Sequence, residues 1–392
     1  MASARMRVVV LGGGILGSST AAHLARGGAA VTLVTSGAIA DGASGRSIAW
    51  LNSSGERTAD YHYLRLMGLD RYRTWGARRP DSARYLRFDG ALKWADASEG
   101  ESYLDTFAFE RGIGYDAVWL DRGGVAELAP DVNADAVAAE GAIFNPGEGW
   151  VSLPDLIAVL LEEAVGAGAR VVEHAGAARV EVVGSAATGV VLGDGTRIPA
   201  DHVVLATGAG VPAQLAALGV EIPDATPAAF VVVTDPAPVR VKTVLNTPRV
   251  AVRPTPDGRL VLDAGWAERS IVVGEDGSIT VPAESVQGLL DEASTVLAGA
   301  PRLTPSRVGA GPKPVPGDGE PVAGAVPAVS RLSVLFTHSG ATLGLILGEL
   351  VAEEVLLGRP SPVLASFRAD RFSAAAQTRP VATGAWTPVT TA

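Results

Sequence analysis

Three glycines near the start of the chain, Gly12, Gly14 and Gly17, stand in the order Gly-x-Gly-x-x-Gly directly after the apolar run Val8-Val9-Val10-Leu11. Each has a physical task if this corner cradles a dinucleotide. Gly12 permits a tight turn, Gly14 lets the backbone approach a pyrophosphate, and Gly17 lets the following helix lie close to the strand. That helix, opening at Ile15 and Leu16, would offer its free N–H groups and positive dipole end to the phosphates. The motif alone also fits a structural corner, but its strand–helix–strand setting favours the nucleotide. The next strand, Val31-Thr32-Leu33-Val34, runs into Thr35 and Ser36 where an acid usually binds both ribose hydroxyls. Thr35 offers one neutral hydroxyl, a loss worth about 1–2 kcal/mol of adenosine binding. NADP preference would account for the missing acid, yet no Arg stands beside Thr35 to hold a 2′-phosphate.

The elements that must position these residues follow from hydrophobic period and punctuation. Residues 7–11 form a buried strand, 15–27 a helix and 30–34 a second strand. Residues 58–79 are helical, and 85–145 hold mixed short elements. A helix over 154–167, with Pro at its start, leads into the strand Ala-Arg-Val-Val-Glu-His, so the parallel pattern resumes. Two further β runs joined by Gly193-Asp194-Gly195 precede the strand and glycine corner Ala-Asp-His-Val-Val-Leu-Ala-Thr-Gly-Ala-Gly. From 221 to 281, apolar runs separated by Pro, Asp and Gly predict an antiparallel sheet. A helix over 283–298, a Pro/Gly-rich loop over 311–327, a strand at 332–336 and an apolar helix over 341–357 complete the chain. The tail from about 373 lacks an apolar period and is expected to be disordered.

Composition narrows the function. The chain has 392 residues with 47% hydrophobic content, enough for two domains. A net charge of −10 disfavours a nucleic-acid partner. Cysteine is absent, which excludes disulfides, thiolate nucleophiles and cysteinyl cofactor links. Five scattered histidines offer no metal-ligand spacing, so no metal is expected. The 29 arginines against 3 lysines reflect coding bias. The uncharged runs Val203–Val220 and Leu332–Gly348 are short and broken by glycines, proline or polar residues, so no membrane span is expected. Arg5 and Arg7 before an apolar run have the outline of a secretion signal. The run is brief and lacks a clean cleavage site, so a cytoplasmic protein is expected.

Four separated motifs, in order, carry a resemblance. They are VVVLGGGILGSSTAAHLARGGAAVTLV, DGASGRSIAWLN, GWVSLPDLIAVLLEEAVGAGARV with ADHVVLATGAG, and GPKPVPGDGEPVAG with FTHSGATLGLILGELVAEEVLLG. Together they span residues 7–372. The chain resembles the FAD-dependent D-amino acid oxidase superfamily, in the branch of glycine oxidase, sarcosine oxidase and related deaminating enzymes. The resemblance implies an α/β fold: a Rossmann-like FAD domain of the glutathione-reductase (GR2) type, interleaved with a β-rich antiparallel substrate domain. Residues 1–50, 146–220 and 320–372 would form the FAD domain, and 51–145 with 221–319 the substrate domain. Ser44, Gly45, Arg46 and Ser47 would wrap the pyrophosphate and lead to the flavin. Ala177, Thr207 and Gly208 would add to the cofactor site. The helix opening at Gly340, Ala341, Thr342 and Leu343 would aim its positive end at the flavin and stabilise the anionic reduced ring.

The implied chemistry is hydride transfer from a carbon bearing nitrogen to flavin N5, giving an imine, with electrons passing to oxygen and peroxide formed. It needs orientation and a dry site rather than a strong base. Alternatives are a dehydrogenase of the same fold that feeds a quinone or carrier, a noncatalytic FAD-binding subunit, and an NADP-dependent reductase. The chain also departs from the family. Lys313 stands where an Arg usually grips the substrate carboxylate, and a lysine cannot fork onto it. His338 is followed by Ser339 where glycine oxidase-like members have an Arg. The family's cysteinyl link to FAD is impossible, so FAD would be noncovalent. A small amine or amino-acid-like substrate, with Lys313, His338, Arg253, Trp50 and Trp266 as pocket candidates, is therefore expected.

Overall fold

A computed structural model describes residues 5–96 and 100–373. The expected tail disorder falls, beyond 373, outside the described residues. A six-stranded sheet runs in the order Val322–Ala325, Leu332–Phe336, His202–Leu205, Arg7–Leu11, Ala30–Val34, Arg170–Val172. Its strands pair in parallel except at the Val322–Ala325 edge. Val8, Val9, Val10 and Leu11 are buried on both faces, as a central parallel strand requires. Helices Ile15–Arg26, Leu153–Gly166 and Gly340–Leu357 supply much of the adjoining core, through Leu24, Leu156, Leu160, Leu343 and Leu347.

The first and last of these helices touch along a seam where glycines of the last make room for side chains of the first. A Cβ added to Gly344 would lie 2.4 Å from Ile15 Cγ1, and one on Gly348 would lie 2.2 Å from Ser19 Oγ. Any larger residue would force the helices apart.

An eight-stranded sheet runs Pro305–Pro312, Ala228–Thr234, Leu260–Asp263, Ala251–Pro254, Val244–Asn246, Ala91–Lys93, Ala142–Asn145, Val118–Leu120. Its neighbours are antiparallel except for Val244–Asn246 with Ala91–Lys93. It has its own core of Leu92, Trp94, Phe230, Val232, Leu245 and Leu262, closed by Leu289 and Leu297. The mixed segment 85–145 thus completes the sheet whose other strands were expected over 221–281. The Pro/Gly-rich stretch 311–327 is not all loop. Strands Pro305–Pro312 and Val322–Ala325 claim its ends, because each finds a partner edge to pair with.

Trp50–Leu51, Gly149–Val151 and Leu86–Arg87 form a small third sheet. Helix Ala59–Arg78 is capped by Thr58, whose Oγ1 accepts from Tyr61 N–H at 3.4 Å. Its Leu64, Leu69 and Tyr72 join the core of the parallel sheet, although its residues fall in the range expected for the substrate domain. Val203–Val220 and Leu332–Gly348 each resolve into a buried strand followed by a helix. Among the described residues no helix is long and apolar enough to cross a membrane.

Candidate functional site

The glycine corner folds as its spacing requires. Gly12 has φ +119°, and a Cβ there would lie 2.2 Å from the Ala206 carbonyl oxygen. A Cβ on Gly17 would lie 1.9 Å from the Gly12 carbonyl oxygen, so the helix can approach only without one. Gly14 is extended and precedes the first helical turn, where Ser44 Oγ accepts from Ile15 N–H at 3.0 Å. Gly12, Gly14, Ile15 and Leu16 line a cavity of about 1200 Å³. Gly17 lies behind it.

Thr35, Ser36, Ala177, Thr207 and Gly208 line the same cavity. Thr35 is 9% exposed. Its N–H donates to the Val172 carbonyl at 2.9 Å and its carbonyl accepts from Ala175 N–H at 3.0 Å. Its main chain is thus committed to the sheet and its turn. Arg179, which sequence reasoning missed, adds an exposed cation to this wall. Ser44, Arg46 and Ser47 also line the cavity, but Gly45 does not. It tightens the loop instead, since a Cβ there would lie 2.4 Å from the Ala40 carbonyl oxygen. Arg46 is more than a solvated loop charge. Its side chain lies across strand Pro305–Pro312 where Gly309 and Gly311 leave room, and its Nη1 is 3.9 Å from Asp41.

At the opposite corner, His338, Gly340, Ala341 and Thr342 line the cavity, whereas Leu343 is fully buried in the core. Ser339 is gripped by residues not anticipated from sequence. Its Oγ bonds the Tyr61 hydroxyl at 2.6 Å and accepts from Arg65 Nη1. Arg65, 3% exposed, also donates through Nε to the Asn52 carbonyl at 2.8 Å and through Nη2 to Asn52 Oδ1 at 2.7 Å. Neutral oxygens alone satisfy this buried cation among the described residues. It therefore adds positive potential to a helix N-terminus that is already positive. Burial, then Lys313, Arg65 and Arg57, pull His338 down to about 4, so it is neutral at pH 7. The signal was present in sequence: Tyr61 and Arg65 stand four residues apart on one face of the helix, and Arg57 sits just ahead of its cap.

The far wall belongs to the eight-stranded sheet. Lys313 Nζ donates to both carboxylate oxygens of Glu268, each at 2.6 Å. This pairing engages the cation expected to meet a carboxylate. Asp263 lines the cavity beside them with no hydrogen bond among the described residues. Burial, then Glu268, raise it to about 6, against the opposing pull of Lys313. Arg57 faces the same space. It donates from Nη2 to the Ser54 carbonyl at 2.9 Å, while its Nε is buried without a partner. Burial, then Arg65, lower its pKa to about 10.

Trp50 lines the cavity with its Nε1 committed to Glu148 Oε2 at 2.8 Å. The other two pocket candidates lie elsewhere. Trp266 donates to the Arg249 carbonyl at 2.7 Å and covers Gly288, outside the cavity wall. Arg253 is on the sheet but turns into a separate small cavity. Alternation along the strand sets that direction. No group of three or more metal-ligating side chains occurs among the described residues.

The large cavity exceeds the ~300–1,000 Å³ of ordinary small-ligand sites, leaving room for a dinucleotide and a substrate together. Its glycine corner has the close approach and free helix N–H groups that a pyrophosphate needs, and its Ser339 corner carries the positive potential that an electron-rich ring would meet. These properties fit a protein that binds a dinucleotide for redox chemistry. The chain belongs to the FAD dependent oxidoreductase family (DAO), whose model matches residues 7–354, and FAD is its cofactor. It is similar to glycine oxidase from Geobacillus kaustophilus (strain HTA426), 28% identical over 370 residues that cover 90% of this chain and 93% of that protein. The crystal structure of Geobacillus kaustophilus glycine oxidase superposes with a TM-score of 0.79 at 25% identity, over 93% of this chain and 99% of that one. The fold is shared with L-amino acid deaminase from Proteus myxofaciens, in complex with anthranilate, at TM-score 0.80 and 18% identity over 94% of each chain. It is shared also with iminodiacetate oxidase from Chelativorans sp. BNC1, at 0.76 and 23%, covering 92% and 98%.

Proposed function

We propose that the protein oxidises the C–N bond of a small amine or amino-acid-like substrate to an imine and passes the electrons to oxygen. The observation that carries this reading is one cavity joining the glycine corner to a wall where Asp263 and Arg57 both have unused bonding capacity. Asp263 would accept hydrogen bonds from the substrate nitrogen. Arg57 would take a carboxylate in place of Lys313, which Glu268 already occupies. When bound, FAD accepts a hydride from the carbon bearing the nitrogen. The protein's part is orientation and exclusion of water, with Trp50 and neutral His338 as uncharged walls. The strands of the two large sheets fall within the ranges expected for cofactor and substrate domains, which supports that division, although the small third sheet and helix Ala59–Arg78 cross it. The similarity to glycine oxidase supports a small amino-acid-like substrate.

The test is anaerobic mixing of the yellow holoprotein with glycine, D-amino acids, N-methyl and cyclic amino acids, and primary amines. Bleaching of the flavin band by one class is the expected result, followed by peroxide formation in air. Bleaching without peroxide would identify a dehydrogenase that needs another acceptor. No bleaching by any compound would contradict amine oxidation.

A further inference from the structure

A second, smaller cavity of about 360 Å³ adjoins the first, sharing Ser44, Ser47, Leu153 and Val231 with it. The proposed oxidation makes no use of it. Arg253 reaches into it from the middle of the eight-stranded sheet and is only 7% exposed. Its guanidinium lies 5.4 Å from the Trp150 ring centroid. Nη1 has a long bond of 3.4 Å to the Pro254 carbonyl, and Nε is buried with no partner. Asp155 and Asp257 attract it across the cavity, but it makes no ion pair among the described residues. A buried guanidinium with donors to spare is costly unless something accepts from them.

The surroundings specify what that would be. Four arginines, Arg84, Arg253, Arg259 and Arg307, face two aspartates, Asp155 and Asp257. Arg259 is held by Asp257 at 2.9 Å and Arg84 by Asp81 at 3.2 Å. Arg307 is exposed and, like Arg253, has no ion pair among the described residues. Arg253 and Arg307 therefore face only one aspartate that has no ion pair of its own among the described residues, Asp155, and the small cavity keeps a net positive charge. Ser44, Ser152 and Thr255 add hydroxyls, and the fourteen-residue helix Leu153–Gly166 begins at its wall. The forked donors of arginine match planar or tetrahedral oxyanions.

We infer that this cavity is a binding site for a compact oxyanion, a phosphate or carboxylate group, held by Arg253 and Arg307. The shared Ser44–Ser47 wall gives such a group two possible sources: the far end of the substrate, or a free anion.

Inorganic phosphate and succinate, titrated calorimetrically into the holoprotein, test this without any substrate. Millimolar or tighter binding of one of them is expected, together with a raised thermal midpoint. Arg253→Met and the double variant Arg84→Ala/Arg307→Ala should each weaken it roughly tenfold or more. The second variant changes only exposed side chains, and a retained flavin spectrum in the first reports that it has folded. No binding, or equal binding by all three proteins, would overturn the site. Where binding occurs, phosphate that raises KM for an oxidised substrate at constant kcat marks the substrate's own tail as the source. An unchanged KM marks a free anion. The calorimetric result stands apart from amine oxidation, so failure of either reading leaves the other testable.

Discussion

At the Gly12 end of the large cavity the ligand meets main chain: a helix N-terminus, glycines and small hydroxyls. At the Asp263 end it meets side chains on strands: Asp263, Glu268 with Lys313, and Arg57 from beyond the sheet. The first end works by absence of bulk, because Cβ atoms at Gly12 or Gly17 would collide with backbone. The second works by a balance of charges, each shifted by its neighbours. A backbone site tolerates almost no substitution and binds one cofactor. A side-chain site can be retuned residue by residue, and under the proposed function specificity would reside there.

The contrast should break most sharply at Gly12. Gly12→Ala combines a positive φ with a collision against Ala206, and should abolish flavin binding, read as loss of the yellow band on purification. At the other end, effects should be graded. Lys313→Met leaves Glu268 without its cation beside Asp263 and should cost about 1–3 kcal/mol in denaturant unfolding. The double variant Lys313→Met/Glu268→Gln should recover much of it, a coupling that a double-mutant cycle measures.

Asp263 gives the pH test. Its folded pKa of about 6 exceeds the 3.8 of an ordinary aspartate, so the folded state holds the proton more tightly than the unfolded one. The stability this contributes is complete below 3.8 and is lost as pH rises through about 6. Asp263→Asn should therefore flatten the stability profile over that window, by about 3 kcal/mol. It should also remove the improvement in amine KM as Asp263 ionises. An unchanged KM profile would place the substrate nitrogen elsewhere. Ser44→Ala removes the acceptor for Ile15 N–H and should loosen flavin by about 1 kcal/mol. Smallest, Thr35→Asp restores the ribose-binding acid and should tighten flavin roughly fivefold by equilibrium dialysis.

The same contrast explains what could be seen in the sequence. Residues 7–11, 30–34 and 332–336 were expected as strands and are strands, since buried parallel strands read as unbroken apolar runs. Gly12, Gly14 and Gly17 announce their geometry because no other residue fits it. Arg253 and Trp266 were placed in the wrong surroundings: residue type was legible, but the face of the strand or short helix was not. Asp263 and Glu268 were passed over because acids near a glycine turn look like solvated loop charges until the sheet brings Lys313 alongside. The pairing of Lys313 with Glu268 joins residues 45 apart in the chain, a relation no local pattern carries.

The seam at Gly344 and Gly348 also has a consequence in time. The glycine corner is complete by residue 17, yet the helix that packs on Ile15 and Ser19 begins only at Gly340. The central strand Arg7–Leu11 likewise waits for His202–Leu205 as one of its neighbours. On the ribosome the first helix must therefore stay without its partner through most of synthesis, its Ile15 and Ser19 surface uncovered. Cofactor capture should therefore wait until this helix has been made. A nascent chain truncated before 340 should expose that surface to chaperones and retain no flavin.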